Sequence, residues 1–364
     1  MKIFYYGLNV FLIDVRLIKL DDPNHVFVIA EAGSNWKCGT FEEDLEQAKK
    51  LIRVAAKAGA DAVKFQTYKP ETIYVEDAGK SNYLSEHGIH ESINDIFEHL
   101  SMPYEMIPEL AKFCRQENIM FMSTPFSIQD AKEVDPFVQI HKVASFEINH
   151  VRLIEYLAST KKPLLISTGA STFDEVDFAV NLVNQNTDSS LALLQCTSKY
   201  PAPIESLNLS VIPKIKERYG VPVGLSDHSM EPMIASILAV GLGATIIEKH
   251  FTLDRNLPGP DHPFALNPSE LELMIKSIRY AEKAKGSGKK EILKEELELR
   301  RFATRSIQAI RNISKGEILK EGENFEVLRP GNRVRGTEAR FLTSINGKKS
   351  KKDVRKGDGI LEYE

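Results

Sequence analysis

The sequence contains few cysteines, a single tryptophan and no marked excess of charge of either sign. Three cysteines stand among 364 residues, an odd number without CxxC spacing, so we expect neither a disulfide framework nor a zinc ribbon and favour a reducing cytoplasm. The net charge is −4, which argues against a broad basic surface for nucleic acid. Any positively charged site must therefore be local.

An uninterrupted apolar run of the ~20 residues that span a bilayer is also missing. The apolar N-terminal stretch, residues 1–20, is broken by Asp14, Arg16 and Lys19, and it lacks the basic start and small-residue cleavage site of a signal peptide. We therefore expect no membrane partner and interpret residues 1–25 as an N-terminal strand or hairpin extension.

Eight short runs rich in β-branched residues recur along the chain, separated by stretches with helical spacing. Continuous apolar strands that alternate with helices predict a parallel sheet covered on both faces. Eight such units in about 250 residues indicate an α/β fold, a (β/α)8 TIM barrel over 26–285. An open doubly wound sheet is the alternative, although its Gly-rich phosphate-binding fingerprint is absent. The predicted strands are 26–33, 62–67, 119–126, 139–145, 163–169, 191–198, 222–229 and 245–252.

Polar residues stand at or just before the end of every predicted strand. A single one could cap the following helix, but capping does not explain eight. The carboxyl ends of barrel strands form the face that carries active sites, so we expect these side chains to meet there. They include Glu31, Lys64, Gln66, Thr124, Lys142, Ser145, Ser167, Ser198, Ser226, His228, Glu248 and His250.

His228 and His250 end the seventh and eighth predicted strands. Adjacent strands lie about 4.8 Å apart, so the two imidazoles can share one ion, although a lone histidine at a strand end is more often a structural hydrogen-bonder. With Glu31 and Asp261 as nearby carboxylates and no thiolate, the set favours Mn²⁺ or Mg²⁺, with Zn²⁺ and Co²⁺ as alternatives.

Lys64 and Lys142 lie inside apolar runs, where an uncompensated charge costs several kcal/mol. Together with the hydroxyl groups of the neighbouring strand ends they form a cradle suited to a phosphate ester. A carboxylate substrate or simple helix capping remains the alternative.

The sequence changes character after the barrel. Residues 286–302 form a charged linker, and residues 303–364 consist of short strands with Lys-Gly turns, which predict a small β-rich domain. About 60 residues make a marginal independent core, so we expect this domain to depend on a partner.

Nine motifs that follow one another along the chain resemble those of the sialic acid synthase family, which comprises N-acetylneuraminate, legionaminate and pseudaminate synthases. The tail resembles the antifreeze-like SAF domain of that family. The match covers nearly the whole chain after Val26. The motifs are AEAGSN, AVKFQT, MSTPFS, KVASFEI, PLLISTG, LLQCTSKYPAP, GLSDHS, GATIIEKHFTLD and GPDH.

The resemblance implies a transferase that condenses phosphoenolpyruvate with an N-acetylated amino sugar, typically N-acetylmannosamine, with a divalent metal, usually Mn²⁺. It assigns the metal to His228 and His250 and a catalytic role to Glu31, Lys64 and Asp261. Phosphoenolpyruvate contacts fall on Lys64, Thr124, Lys142, Ser145, Ser167, Ser198 and Ser226. Sugar contacts fall on Gln66, Tyr200 and Asp261, with Phe302 and Arg329 reaching the barrel of the other subunit in a domain-swapped homodimer.

Three departures from the family pattern concern the sugar more than the reaction. Trp36 stands where many relatives have histidine, in what we interpret as a surface loop. The other two are about five extra residues between Glu31 and the next helix and a tail that reads RPGNRVRG, whereas Ser198, which replaces a frequent asparagine, concerns a phosphoenolpyruvate contact. The identity of the amino sugar is therefore left open.

Two alternatives from other classes remain. A metal-dependent barrel hydrolase would need further ligands, and VIAEAG stands where a first-strand HxH would be. A non-catalytic, spore-coat-like polysaccharide-biosynthesis protein would have no need of the paired histidines and lysines.

Overall fold

A computed structural model of the chain describes residues 20–80 and 90–364, and these separate into two compact units that meet in sequence at Gly286 and Ser287. Most of the predicted N-terminal extension lies outside the described residues. Its last part, 20–25, consists of turns, and Leu20 is buried among residues that line the inside of the barrel. Among the helices of the described ranges, none is long and apolar enough to cross a membrane.

The first unit is a nearly closed eight-stranded parallel barrel, as predicted. Its strands pair in the order β3-β2-β1-β8-β7-β6-β5-β4, and β3 and β4, the two ends of the sheet, contact each other. The strands are β1 (Phe27–Gly33), β2 (Ala62–Thr67), β3 (Met120–Pro125), β4 (His141–Val143), β5 (Leu164–Ser167), β6 (Leu191–Cys196), β7 (Val223–Asp227) and β8 (Ile246–His250).

The helices cover the outside of the strands. Several begin at a capping box, in which the cap side chain and the third helical residue satisfy each other's backbone N–H groups, as Thr40 and Glu43 do for α1. The helices of this unit are α1 (Phe41–Ala58), α2 (Pro70–Ile73), α3 (Ile93–Leu100), α4 (Met106–Gln116), α5 (Ile128–Val134), α6 (Val151–Ser159), α7 (Phe173–Asn186), α8 (Val211–Tyr219), α9 (Ile234–Gly241) and α10 (Pro268–Lys285).

The inside of the barrel is apolar at its base and charged towards the carboxyl ends of the strands. Side chains alternate between the two faces of a strand, so residues two apart on one strand share the interior. Ile29 precedes Glu31 in this way, and Ile246 precedes Glu248. The apolar base is formed by Leu20, Phe27, Ile29, Ala62, Met120, Met122, Ile140, Leu165, Ala192, Leu194 and Ile246.

The second unit contains the predicted linker and the small β-rich domain. The linker segment is partly helical, with α11 at Leu297–Ala303. A two-stranded antiparallel sheet follows, β9 (Ser306–Ala309) with β10 (Phe325–Leu328), together with α12 (Leu342–Ile345). The core of this unit is small, as expected for its length, and consists of Ile307, Ala309, Ile313, Leu319, Phe325, Ile345 and Ile360.

Gly224 allows close packing inside the barrel, and its replacement tests that packing. A Cβ atom at this position would lie 2.4 Å from the Ile246 carbonyl oxygen and 2.5 Å from Leu194 Cδ2. We expect Gly224→Ala to lower the free energy of unfolding by ~1–3 kcal/mol, measured by urea denaturation. Gly241→Ala is the control, since nothing lies within 4 Å of its added carbon. Equal stability of both variants would contradict this account.

Candidate active site

Two lysines and two glutamates form a charged layer inside the barrel near the carboxyl ends of the strands. Lys64 Nζ lies 2.7 Å from Glu31 Oε2 and 3.6 Å from Glu248 Oε1, and Lys142 Nζ lies 4.0 Å from the same Glu248 oxygen. All four residues are almost completely buried. The lysines therefore have protein carboxylates as counter-ions, which means that their burial alone does not require a bound anion.

Burial and mutual attraction shift the protonation of this layer in different directions. Burial raises the pKa of Glu31 from 4.5 to about 7, with Lys64 opposing the shift. Burial would also raise the pKa of Glu248, but Lys142 and Lys64 outweigh it and hold that pKa below its usual value. Burial lowers the pKa of Lys142. Of the two carboxyls, Glu31 therefore holds a proton more readily than an ordinary glutamate, whereas Glu248 is held ionised by the lysines.

Hydroxyl and amide groups complete the charged layer. Lys64 donates to Thr124 Oγ1 at 2.9 Å, and Lys142 donates to Ser167 Oγ at 2.7 Å. Both hydroxyl residues, Thr124 and Ser167, were predicted to line the same site as the lysines, and the structure brings them together. Two further contacts join the set: Ser226 Oγ donates to Glu248 Oε1 at 3.2 Å, and Gln66 Nε2 donates to Glu31 Oε1 at 3.0 Å.

A second group of hydroxyls surrounds Gly169. The Gly169 backbone N–H donates to Ser145 Oγ at 3.0 Å. A Cβ atom at Gly169 would lie 2.2 Å from Ser198 Oγ and 2.8 Å from Ser145 Oγ, so only glycine lets both oxygens approach this point. Ser198 Oγ is buried and has no hydrogen-bond partner among the described residues. An oxygen-rich ligand could use that hydroxyl.

The two predicted ligand histidines lie face to edge at the mouth of the barrel. The ring centroids of His228 and His250 are 5.4 Å apart, with the ring planes inclined at 65°. His228 Nδ1 lies 2.9 Å from the Thr197 carbonyl oxygen, a contact that places the proton on Nδ1 and leaves the Nε2 lone pair available. His250 Nδ1 is buried and has no hydrogen-bond partner within the described part of the chain.

These features fit a divalent ion with two protein ligands. Burial lowers the pKa of His250 well below its usual value, which keeps the imidazole neutral as a metal ligand must be. In the described ranges, no three histidine, cysteine or acidic side chains are grouped closely enough to hold a metal by themselves. Substrate or water oxygens would therefore have to complete the coordination, as they do in metal sites with open positions.

Tyr200 and Asp261, two of the predicted sugar contacts of the barrel, lie beside the histidine pair. The Tyr200 ring centroid lies 4.1 Å from that of His228 and 6.2 Å from that of His250. Asp261 Oδ2 lies 3.9 Å from His250 Nδ1 and accepts hydrogen bonds from the backbone and hydroxyl of Ser34. Burial raises the pKa of Asp261.

Phe302 and Arg329 both belong to the second unit, and both side chains are exposed. Gly331 donates its backbone N–H to the Phe302 carbonyl at 3.0 Å, so the Arg329–Gly331 turn lies beside the end of α11. The two predicted sugar contacts are therefore neighbours on one surface of this unit.

Two acidic residues of the site, Glu248 and Glu147, had no predicted catalytic or binding role. Glu248 was recognised only as a polar strand end, although it stands two residues before His250 and therefore faces the interior with it. Glu147 follows β4, and burial raises its pKa to about 7 against the opposing effect of Lys142. Its Oε2 atom is buried without a hydrogen-bond partner among the residues described. The alternation of side chains along β8 would have shown that Glu248 faces the interior with His250. Glu147 lies in an irregular segment, where no such alternation applies.

The interpretation of Trp36 as part of a surface loop is wrong. Trp36 is only 1% exposed and packs in the hydrophobic core between strands and helices. The loop is drawn inwards because Asn35 Nδ2 donates to the Phe251 carbonyl at 2.8 Å and Ser34 binds Asp261. Trp36 therefore contributes to the packing of the barrel and is not part of its surface.

The fold and these side chains define a (β/α)8 barrel with a polar site at the carboxyl ends of its strands. Residues 51–290 match the model of the NeuB family, and residues 304–362 match that of the SAF domain. The chain is 38% identical to the spore coat polysaccharide biosynthesis protein SpsE of Bacillus subtilis, over 96% of each chain. It is 37% identical to the pseudaminic acid synthase of Campylobacter jejuni, over 93% of this chain and 96% of that one.

A solved structure gives the same result. The N-acetylneuraminic acid synthetase of Leptospira borgpetersenii, crystallised with citrate, is 33% identical and superposes with a TM-score of 0.66 over 76% of this chain and 92% of that one. The chain thus belongs to the NeuB family of sialic-acid-type synthases, with a C-terminal SAF domain.

The raised pKa of Glu31 predicts a pH-dependent stability. That pKa is about 7 in the folded protein and 4.5 for an ordinary glutamate. At pH values between 4.5 and 7, the folded protein therefore keeps a proton on Glu31 that the unfolded protein has lost. The free energy of unfolding should therefore fall as pH rises from about 4.5 to 7, by a Glu31 contribution on the order of 2–3 kcal/mol. Glu31→Gln should remove that contribution.

Urea denaturation at several pH values measures the difference between the two proteins. Glu217→Gln, which changes an exposed carboxyl on α8, is the control and should follow the parent protein. If the Glu31→Gln curve instead parallels that of the parent across this range, the buried carboxyl is already ionised in the folded state.

Proposed function

We propose that the protein condenses phosphoenolpyruvate with the open-chain aldehyde of an N-acetylated amino sugar, N-acetylmannosamine or a related hexosamine, giving a nine-carbon 2-keto sugar acid and phosphate. The observation that carries the proposal is the charged layer, in which Lys64 and Lys142 are buried against Glu248, two residues before His250 on β8. The synthases among its relatives support the same reaction class.

Phosphoenolpyruvate would occupy the charged layer. Its phosphate and carboxylate need cationic and hydroxyl donors, and both lysines already hold hydroxyl groups at hydrogen-bond distance. The unpartnered Ser198 hydroxyl and the Ser145 hydroxyl offer further contacts at Gly169. The proposed contacts are Lys64, Thr124, Lys142, Ser145, Ser167, Ser198 and Ser226.

His228 and His250 would hold a divalent ion, Mn²⁺ in the first instance, with Mg²⁺ or Co²⁺ as alternatives. The chemistry that such an ion supplies when bound is Lewis-acid polarisation of the sugar aldehyde. The Thr197 carbonyl fixes the tautomer of His228, and the low pKa of His250 keeps that ring available at neutral pH.

The reaction forms a bond between C3 of phosphoenolpyruvate and the aldehyde carbon, after which water adds at C2 and phosphate leaves by cleavage of its C–O bond. Glu31 is suited to move a proton in these steps because its pKa of about 7 lies near the working pH. Lys64 holds that carboxylate at 2.7 Å and would offset charge on the phosphate.

The amino sugar would lie over the histidine pair, in contact with Gln66, Tyr200 and Asp261. Phe302 and Arg329 would reach it from the second subunit of a homodimer.

Cys38, Cys114 and Cys196 are all free thiols, which suits a reducing compartment such as the cytoplasm.

A non-catalytic role in coat polysaccharide biosynthesis is the second candidate, since the SpsE relative is named for that pathway. Burying two lysines and two glutamates is expensive, and a scaffold gains nothing from it. The buried charges therefore favour catalysis.

Release of phosphate tests the reaction. We expect phosphoenolpyruvate and one hexosamine of a panel (N-acetylmannosamine, its 6-phosphate and di-N-acetylated 6-deoxyhexoses) to release phosphate, with a divalent ion required. His250→Ala should abolish this turnover and leave the circular dichroism spectrum unchanged. If no sugar leads to phosphate release with any metal, the proposed reaction is contradicted. If His250→Ala still turns over after chelation and return of Mn²⁺, His250 is not a metal ligand.

Lys142→Ala tests the phosphoenolpyruvate site. Loss of one charge-assisted contact should cost ~1.5–3 kcal/mol, which is at least about a tenfold loss in kcat/KM for phosphoenolpyruvate, with a much smaller change in the sugar's KM. Lys162→Ala is the matched control, because Lys162 pairs with Asp135 at the opposite end of the strands. A larger effect on the sugar than on phosphoenolpyruvate would place the phosphate elsewhere.

Complementation tests the shared site. We expect Arg329→Ala and His250→Ala to be nearly inactive alone. If sites are built from two chains, a mixed dimer has one site with both lesions and one intact site, which restores up to half the activity of that dimer. If mixing restores nothing although subunit exchange is confirmed, the small domain serves its own barrel or none.

A further inference from the structure

Asp227 and Lys249 are buried charged residues on the outer side of the barrel. Asp227 ends β7, Lys249 is the penultimate residue of β8, and the two are register partners. Each stands between two residues of the candidate site, so its own side chain faces away from the interior. The preceding outward positions, Leu225 and Ile247, are apolar and pack in the core between strands and helices. A charged pair at the next position breaks that pattern.

The Asp227–Lys249 pair holds the segment that follows His228. Lys249 Nζ lies 2.6 Å from Asp227 Oδ2 and donates to the Ser229 carbonyl at 2.5 Å, to Ser229 Oγ at 3.2 Å and to the Glu231 carbonyl at 3.0 Å. Asp227 Oδ1 accepts the Ser229 backbone N–H at 2.8 Å. Lys249 of the adjacent strand thus binds the side chain of the residue before His228 and the backbone carbonyls of two residues after it.

We infer that the Asp227–Lys249 pair positions the two imidazoles for a shared ligand, an inference that rests on the proposed metal role of His228 and His250. Lys249 immediately precedes His250, and Asp227 immediately precedes His228. One ion pair therefore joins the two strand ends that carry the imidazoles. The ring of His228 is then oriented by the Thr197 carbonyl. Neither charged residue touches the ligand site itself.

Fold stability alone does not account for this arrangement. A buried ion pair can often be replaced by apolar side chains of similar volume without loss of stability, because the charges must first be desolvated. Apolar residues cannot, however, hold the Ser229 and Glu231 carbonyls. A positioning role and a purely structural role therefore make different predictions for an apolar replacement of the whole pair.

Mn²⁺ binding to the substrate-free full-length protein, followed by electron paramagnetic resonance of the free ion, tests the inference. The variants are Asp227→Asn, Lys249→Met and the double variant with Asp227→Leu and Lys249→Met. We expect each to bind Mn²⁺ roughly 10- to 100-fold more weakly, the usual effect of losing a group that orients a metal ligand. Asp130→Asn is the control, since it changes an equally buried carboxyl on α5 and should leave Mn²⁺ affinity unchanged.

Thermal unfolding of the same proteins separates the two roles. Weak Mn²⁺ binding by the double variant at a melting temperature restored to that of the parent supports positioning. Full Mn²⁺ affinity in the double variant, or in Asp227→Asn should the double variant not fold, overturns it. If the parent protein binds no Mn²⁺, Mg²⁺ or Co²⁺, the metal role fails first and this inference fails with it, a result distinct from loss of binding in the variants alone.

Discussion

The removal of four charges from water inside the barrel is the constraint on which the rest of the site depends. Lys64 and Lys142 can be buried because Glu31 and Glu248 lie at 2.7–4.0 Å from them. In a low-dielectric interior, loss of any one partner would leave its neighbour uncompensated, at a cost of several kcal/mol. The apolar base below this layer and the packed helices outside it keep water away, which makes the same charges effective towards a bound anion.

The architecture and most of the site could be predicted because both follow from the regular spacing of apolar and polar residues in the sequence. Eight apolar runs with intervening helices specify the barrel, and a parallel barrel brings all carboxyl ends to one face. The alternation along each strand then places Glu31, Lys64 and Thr124 inside. The sequence does not state which side chains meet across that interior, because strands far apart in the chain become opposite each other only after closure. The pairing of Lys142 with Glu248 is of this kind.

Residues that support the site were the hardest to predict. Trp36 looked like part of a surface loop because its neighbours are polar, yet those polar groups have buried partners such as the Phe251 carbonyl. Lys249 stands between two residues of the candidate site at a strand end, and its outward direction becomes informative only when the acceptors around it are known. Both are buried residues whose partners lie elsewhere in the sequence, so local patterns do not show what they contact.

The raised pKa of Glu31 connects the stability of the site with the proposed binding of an anionic substrate. With one ionised carboxylate, two lysines and a carboxyl of pKa about 7, the layer is close to neutral or slightly positive near pH 7. A fully neutral layer is tolerable inside a protein, whereas a strongly positive one is not. An arriving anion would raise the pKa of Glu31 further and draw in a proton, so the layer would become more positive only when a negative ligand is present. In the proposed reaction, that proton would be available at a group whose pKa suits its transfer.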